Sequence, residues 1–227
     1  MRRVAIVTDS AACIPKDLVE ELNISVVPFR LIWSGASFRD GVDLSPTEFY
    51  QQLEESKELP TTSQPPISDF EALFQKLSSQ VEAILCIHVP KEMSATINNA
   101  RIAARRVGSI PIRVMDSRIA VSAQDFVVVA AALAAAQGKD LAEVEAAARA
   151  LIPRVRLLAT LDTLEYIRRS GRINNALALL GAIFQIKPII QFEDGMGKLF
   201  AKVRTKERAL QRMIEVVEED IGSAPGH

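Results

Sequence analysis

Short apolar runs alternate with longer amphipathic segments along most of the 227-residue chain. The runs at 4–7, 83–89 and 112–115 are rich in Val and Ile, and such runs are typical of buried strands in a parallel sheet. Segments with helical spacing follow them, one opened by a capping box at Ser45–Glu48. The alternation predicts an α/β fold, whose ligands lie beyond the carboxyl ends of the parallel strands.

The remaining elements follow from the same pattern. Helices are predicted over 15–22, 45–56, 68–79, 94–108, 120–137, 140–151, 161–170, 175–183 and 205–221. Further strands are predicted over 24–31, 157–160, 188–192 and 198–203, with a hairpin turn at Asp194-Gly195. The segments 34–43 and 59–66 are predicted to be a hairpin or loop and a loop. Because the pattern changes after Pro153, we predict two domains, 1–152 and 153–227.

Charge is nearly balanced, with 27 basic and 28 acidic residues. This balance argues against a protein whose main task is to bind nucleic acid. Residues 153–227 carry 12 basic and 9 acidic side chains, a net charge of +3, whereas residues 1–152 carry −4. The C-terminal part therefore suits an anionic ligand or a membrane edge.

Several common site types lack their signatures. The two cysteines, Cys13 and Cys86, flank apolar runs and are predicted to be buried thiols, and no Cys/His cluster suggests zinc. His88 lies in an apolar strand and is interpreted as a structural histidine with satisfied hydrogen bonds. Glycine motifs for dinucleotides or nucleoside triphosphates are absent, as is a serine-hydrolase motif. Neither a signal peptide nor a membrane span is predicted, so a cytoplasmic location is expected.

Two hydroxyl-rich segments could meet an anion. Thr62 and Ser63 belong to a Thr-Thr-Ser-Gln-Pro-Pro segment whose prolines stiffen it. Ser94 and Thr96 lie between a strand and a helix, where free amides and the helix dipole favour negative charge. Capping of the following helix is the alternative interpretation of both segments.

Acidic and basic side chains mark further candidates. Asp9, Ser10 and Asp116 follow predicted strands and could serve a metal, act as an acid or cap a helix. Arg172 follows a helix and Arg204 follows a strand, and either could bind a carboxylate or phosphate or lie solvated at the surface.

Taken together, these segments resemble a known family. In chain order they are Ile6-Val7-Thr8-Asp9-Ser10, Thr61-Thr62-Ser63-Gln64-Pro65, Ser94-Ala95-Thr96, Met115-Asp116-Ser117, Thr163–Ile167, Ser170-Gly171-Arg172-Ile173, Ile186–Ile189 and Lys202-Val203-Arg204-Thr205. Their order and spacing are similar to those of the DegV family of bacterial fatty-acid-binding proteins. The resemblance extends from the first strand to the last helix.

The resemblance implies a fold and a function. Family members have two α/β domains: a parallel-sheet N-terminal domain and a smaller C-terminal one. A long-chain fatty acid lies in a tunnel between them. The protein is not catalytic alone and needs no cofactor; it presents the carboxylate to an ATP-binding fatty acid kinase subunit. The acyl phosphate product enters phospholipid synthesis, and lipid exchange involves transient contact with the membrane surface.

Site residues carry over by motif. The resemblance implies that Thr62 and Ser94 bind the lipid head group, supported by Ser63, Thr96, Asp9 and Ser10. It implies that Arg172 and Arg204 contact phosphate or the partner subunit. The apolar segment after Arg172 matches a mobile helix that gates lipid entry.

The sequence also departs from the family pattern. Ala95 and Ser170 each replace a usual glycine, and Ile97 replaces a common aromatic residue. The family's further strand–helix unit and its His-bearing Gly/Pro motif have no counterpart before His227, so a shortened C-terminal domain is expected. Two other functions stay open: a metal-dependent or hydrolytic enzyme using Asp9 or Asp116, and a binding module without lipid.

Overall fold

The structure, a computed structural model, describes residues 3–163, 165–172 and 186–222. The chain divides into two units, Met1–Val155 and Arg156–His227. The boundary predicted from the sequence lies just before this division. The predicted helix over 175–183 and the apolar segment matched to a gating helix lie outside the described residues, as does His227.

The described part of unit 1 holds seven strands and six α-helices. In chain order they are β1 (Val4–Asp9), α1 (Lys16–Glu21), β2 (Ser25–Val27), β3 (Arg30–Trp33), β4 (Ala36–Arg39), α2 (Pro46–Glu55), β5 (Thr61–Ser63), α3 (Ile67–Ser78), β6 (Ala83–His88), α4 (Thr96–Val107), β7 (Ile112–Asp116), α5 (Ser122–Ala136) and α6 (Leu141–Leu151). In unit 2 they are β8 (Leu158–Thr160), α7 (Glu165–Ser170), β9 (Lys187–Glu193), β10 (Met196–Val203) and α8 (Lys206–Gly222).

A parallel sheet with the strand order β2-β1-β6-β7 forms the centre of unit 1, as the sequence predicts. Every residue of β1 and β6 is buried, which explains their continuous apolar runs. The register places His88 beside Asp116, and Thr8 beside Ile87. The carboxyl ends of β1, β6 and β7 therefore meet at one edge of the sheet.

Helices α3 and α4 cover one face of this sheet. Phe70 and Phe74 of α3 are fully buried and pack in one cluster with Ala100 and Ala103 of α4. The small side chains of α4 allow the two helices to approach closely, so the aromatic rings fill the space above the sheet. Helix α5 is likewise rich in alanine and valine, and its Val127 and Val128 are fully buried.

The sequence prediction is wrong in two places near β3. The predicted strand over 24–31 is divided into β2 and β3, because Pro28 between them has no N–H with which to continue a ladder. The predicted loop over 59–66 contains β5, which pairs with β3. These strands form a second, antiparallel sheet in the order β4-β3-β5.

Unit 2 contains an antiparallel sheet in the order β10-β9-β8 and the helices α7 and α8. The predicted hairpin is confirmed: Asp194 and Gly195 both have positive φ, 53° and 81°, as a type I′ turn requires. Helix α7 begins at Glu165, later than predicted. Helix α8 buries Ala209 and Val216. An apolar face of the same helix stays exposed: Leu210, Ile214, Val217 and Ile221.

The two thiols differ, contrary to expectation. Cys86 is fully buried, and burial raises the pKa of its thiol far above the usual range. Cys13 is exposed; it follows a short 3-10 turn and has the left-handed backbone conformation (φ 56°). No helix within the described residues is both long and apolar enough to cross a bilayer.

We expect Phe74→Ala to destabilise the protein by about 3–5 kcal/mol, because it leaves a cavity in the cluster between α3, α4 and the sheet. Phe126→Ala on α5 is the matched control: its ring is 59% exposed, so the free energy of unfolding should change by less than about 0.5 kcal/mol. Urea denaturation followed by circular dichroism measures both. Equal effects would contradict this account of the core.

Candidate functional site

A buried carboxylate lies where β1 ends. Asp9 has no exposed surface, and its Oδ2 lies 3.0 Å from Nδ1 of His88, which is equally buried. The same oxygen accepts a hydrogen bond from the backbone N–H of Val89 (3.0 Å). An ionised carboxylate in the interior is costly without such donors, and here a ring nitrogen and an amide provide them.

Gln124 of α5 joins this network from above the sheet. Its Nε2 donates to the Thr8 hydroxyl (3.1 Å) and lies 3.5 Å from Oδ1 of Asp9. The Thr8 hydroxyl donates in turn to the carbonyl of Ile87 (2.8 Å). The network therefore ties β1, β6 and α5 together at the carboxyl end of the sheet.

The interpretation of His88 as a fully satisfied structural histidine is only half right. Its Nδ1 is bonded to Asp9, but its Nε2 has no hydrogen-bond partner among the described residues. The ring of Phe70 packs edge-on against it at 5.3 Å and supplies no polar atom. With the Nδ1 proton directed at the carboxylate, Nε2 of a neutral ring is left as an acceptor.

Two strand-end aspartates hold the loop that follows β6. Asp9 accepts the N–H of Val89, and Asp116 accepts the N–H of Lys91 at 3.4 Å. Asp116 also accepts the N–H of Arg118 (2.8 Å), which shapes the turn after β7. Both carboxylates therefore fix backbone, and the loop they fix leads directly to Ser94.

Ser94 and Thr96 lie side by side at the start of α4. Their hydroxyl oxygens are 2.8 Å apart and share a hydrogen bond, and Ser94 Oγ accepts the N–H of Thr96 at 3.3 Å. The helix begins at Thr96, two residues later than predicted, and Ala95 occupies its N-cap position without a side-chain cap. Ser94 is half-buried and Thr96 fully buried.

The second hydroxyl segment is β5. Thr61, Thr62 and Ser63 are all exposed, and Thr62 pairs with Leu31 of β3. The Thr62 hydroxyl makes no hydrogen bond to any residue in the described ranges, and that of Ser63 contacts only the carbonyl of Gln64 at 3.5 Å. These hydroxyls do not cap α3, whose N-cap position is Pro66. The capping interpretation of this segment is therefore wrong.

A side-chain amide connects the two hydroxyl segments. Asn99, in the first turns of α4, donates from Nδ2 to the carbonyl oxygen of Pro65 at 2.9 Å. On the other side of β5, Arg30 of β3 pairs with Asp69 of α3 at 2.5 Å. The structure therefore brings the segment of Thr62 and the segment of Ser94 together, although they lie 32 residues apart in sequence.

Ser10 has a structural contact. Its hydroxyl accepts the N–H of Phe29 at 3.1 Å, so it fixes the chain between β2 and β3.

Unit 2 places the two candidate arginines differently. Arg172, half-buried just after α7, donates from its guanidinium to the Ser170 carbonyl and from its backbone N–H to the Ser170 hydroxyl. Arg204 is exposed at the end of β10 and forms no ion pair within the part of the chain that the structure describes. Lys206, two residues after Arg204, and Lys187 pair with Asp162 and hold the pKa of its carboxyl below the usual range.

Within the described residues, no group of three or more His, Cys, Asp or Glu side chains could hold a metal ion. Asp9 is enclosed, and Asp116 is occupied by two backbone amides. The arrangement therefore offers hydroxyl donors for an anion in unit 1 and, in unit 2, the exposed Arg204, which forms no ion pair with any described residue.

Comparison with known proteins decides the family. A family model described as an uncharacterised protein of the DegV family matches residues 3–225. The chain belongs to the DegV family. It is 32% identical to Protein DegV of Bacillus subtilis over 225 residues, which cover 96% of this chain and 78% of the relative. A DegV domain-containing protein of Clostridium acetobutylicum is 37% identical over 221 residues, or 96% and 77% of the two chains.

Solved structures of DegV proteins have the same fold. The crystal structure of DegV from Bacillus subtilis, described as a fatty acid binding protein, gives a TM-score of 0.90 at 31% identity and covers 98% of this chain and 79% of that one. A DegV family protein from Thermus thermophilus, described by its fatty acid binding, gives 0.89 at 29% identity, with coverages of 97% and 79%. The two-domain α/β fold inferred from the motifs is thereby confirmed.

Sequence reasoning missed three site residues. Gln124 had a signal, because it is a polar residue on the buried face of an Ala/Val-rich helix and must find a partner there. Asn99 and Arg30 had none. Their roles depend on where Pro65 and Asp69 lie in space, which local pattern does not determine.

We expect Asp9→Ala to destabilise the protein by about 3–5 kcal/mol, because His88 Nδ1 and the Val89 N–H would lose their buried acceptor. Asp116→Ala, at a neighbouring strand end, should cost about 1 kcal/mol, since its amide partners, on the exposed Lys91 and the half-buried Arg118, can bond to water instead. Denaturant unfolding of both variants provides the comparison. A smaller loss for Asp9→Ala than for Asp116→Ala would overturn this view of the network.

Proposed function

We propose that this chain binds a long-chain fatty acid and that the hydroxyls of Thr62 and Ser94 receive its carboxylate. The observation that carries the proposal is the link between their two segments, the hydrogen bond from Asn99 to Pro65. It brings into one neighbourhood the hydroxyl of Thr62, which has no partner among the described residues, and the hydroxyl of Ser94, which shares a hydrogen bond with Thr96.

The chemistry of the ligand fits these donors. A carboxylate is an acceptor only, and hydroxyl and amide donors must replace the water it loses on binding. The acyl chain contributes roughly 0.8 kcal/mol per buried CH₂ group, so a long chain binds firmly even where the head group makes few contacts. Thr96 supports the head-group site by holding the Ser94 hydroxyl. The fatty acid binding described for two DegV relatives at about 30% identity supports the same ligand here.

The second part of the proposal concerns a partner. We infer that the chain presents the bound carboxylate to an ATP-binding kinase subunit, which phosphorylates it to an acyl phosphate. Arg172 and Arg204 are proposed to meet the phosphate or the partner, since guanidinium groups match phosphate oxygens bidentately. The exposure of Arg204 supports this role. Contact with a membrane surface during lipid exchange completes the proposal.

An enzyme built on Asp9 has less support. Its carboxylate has no exposed surface, and its oxygens already face His88, Val89 and Gln124. A catalytic carboxylate would have to reach a substrate, whereas the proposed lipid binding does not require Asp9 to be accessible.

The first test is lipid binding by the full chain. We expect a fatty acid to co-purify with the wild-type protein and to be lost from the Thr62→Ala/Ser94→Ala double variant, with each single change weakening binding about 10- to 100-fold. Mass spectrometry of released lipid and titration of delipidated protein with palmitate measure this. Thr61→Ala is the matched control, because neighbouring strand residues face opposite sides. If delipidated wild-type protein binds no palmitate, lipid binding is wrong for this chain.

The second test separates binding from phosphorylation. We expect Arg172→Gln and Arg204→Gln to leave palmitate affinity within about threefold of wild type. In a mixture with a fatty acid kinase subunit and ATP, each change should slow the formation of ADP at least about tenfold. The control is Arg208→Gln, another exposed arginine close to Arg204. Equal rates in all three variants would remove the arginines from the proposal.

A further inference from the structure

We propose that Asn99 is a positioning residue for the head-group site: its amide sets the place of Thr62 relative to Ser94 and so determines how strongly the site prefers a carboxylate. This inference rests on the proposed fatty acid binding and adds a residue that the family motifs do not assign. Asn99 does not contact the ligand in this proposal; it acts through the backbone of Pro65.

The Thr62 segment has few bonds of its own to hold it in place. Only three of its residues pair with β3, and the two prolines that follow have no N–H to donate. Pro65 is buried, so its carbonyl oxygen needs a donor from elsewhere. Asn99 Nδ2 is that donor, at 2.9 Å.

Asn99 is itself fixed with respect to Ser94. Its backbone N–H donates to the carbonyl of Ala95 at 3.1 Å, in the turn that carries the shared hydrogen bond of Ser94 and Thr96. The carboxylate of Asp9 and that of Asp116 hold the loop just before this turn. The loop after β6 and the first turn of α4 therefore position Ser94, and the Asn99 amide in the same turn bonds to the segment of Thr62.

Two ties of different chemistry hold the Thr62 segment. The ion pair between Arg30 and Asp69 connects the strand beside β5 to α3, and the Asn99 amide connects the chain after β5 to α4. Helices α3 and α4 pack against each other in one hydrophobic cluster, so the ion pair and the amide hydrogen bond both connect the Thr62 segment to the same packed pair of helices. Loss of the amide leaves the ion pair and the cluster in place, so the fold should persist while Thr62 gains freedom. A carboxylate would then have to order this segment on binding, which weakens affinity.

The experiment compares two ligands that differ only in the head group. Delipidated full-length protein is titrated with palmitate and with hexadecanol, its alcohol, by displacement of a fluorescent fatty acid. For Asn99→Ala we expect palmitate to bind about three- to tenfold more weakly, and hexadecanol to change by less than about twofold because the acyl-chain contacts remain. Asn99→Leu, which keeps the size, removes the donor and adds no charge, should behave in the same way. Asn98→Ala is the matched control: it is the exposed neighbour on the same helix.

A double-variant cycle tests the route of action. If Asn99 acts by placing Thr62, then Asn99→Ala should have little further effect on palmitate binding in a Thr62→Ala background, since coupled positions are not additive. Full additivity, an equal loss of palmitate and hexadecanol, or no loss at all would each overturn the positioning role while leaving fatty acid binding intact. Failure of the wild type to bind either ligand would overturn both proposals.

Discussion

The structure of unit 1 depends on satisfying one buried carboxylate. Asp9 ends β1, a strand whose residues are all buried, and without donors its charge would be very costly there. His88 and the Val89 amide supply them from β6, and Gln124 approaches from α5. Because the acceptor lies on β1 and its donors lie at the end of β6 and on α5, satisfying the charge also fixes how these three elements meet. The loop after β6 inherits its position from this network.

A series of contacts connects the buried carboxylate of Asp9 to the hydroxyls of Ser94 and Thr62. Asp9 fixes Val89, the loop fixes Ser94, and the turn of α4 carries Asn99, whose amide reaches Pro65 beyond Thr62. The polar group at the start of this series, Asp9, is buried, and the one at its end, Thr62, is exposed. The interior carboxylate is bonded to buried donors, whereas the Thr62 hydroxyl is exposed and the Ser94 hydroxyl half-buried. Hydroxyl donors held by bonds already present in the fold favour binding of an anion at low ordering cost.

Much of the fold could be predicted from the sequence, because buried parallel strands and capped helices leave a local signature. The runs of β1 and β6, the capping box at Ser45 and the hairpin at Asp194 were all legible. The division of the strand over 24–31 and the existence of β5 were not. Strands of three or four residues are too short for a long apolar run, and the pairing of β5 with β3 depends on contacts far apart in sequence.

The candidate site also has a part that local sequence indicates and a part that depends on contacts between distant segments. The residue types alone marked Thr62, Ser94, Arg172 and Arg204 as candidates, and only the family resemblance gave them roles. A hydroxyl in a loop has the same local appearance whether it binds a ligand or caps a helix, and an arginine whether it binds an anion or lies solvated. What motifs cannot contain is the tie between segments: the partner of Asn99 is a backbone carbonyl, and any residue in place of Pro65 would present the same oxygen. Only the three-dimensional structure shows which side chain takes that place. Residues that position others through backbone atoms are therefore visible in the geometry of a site before they are visible in its sequence pattern.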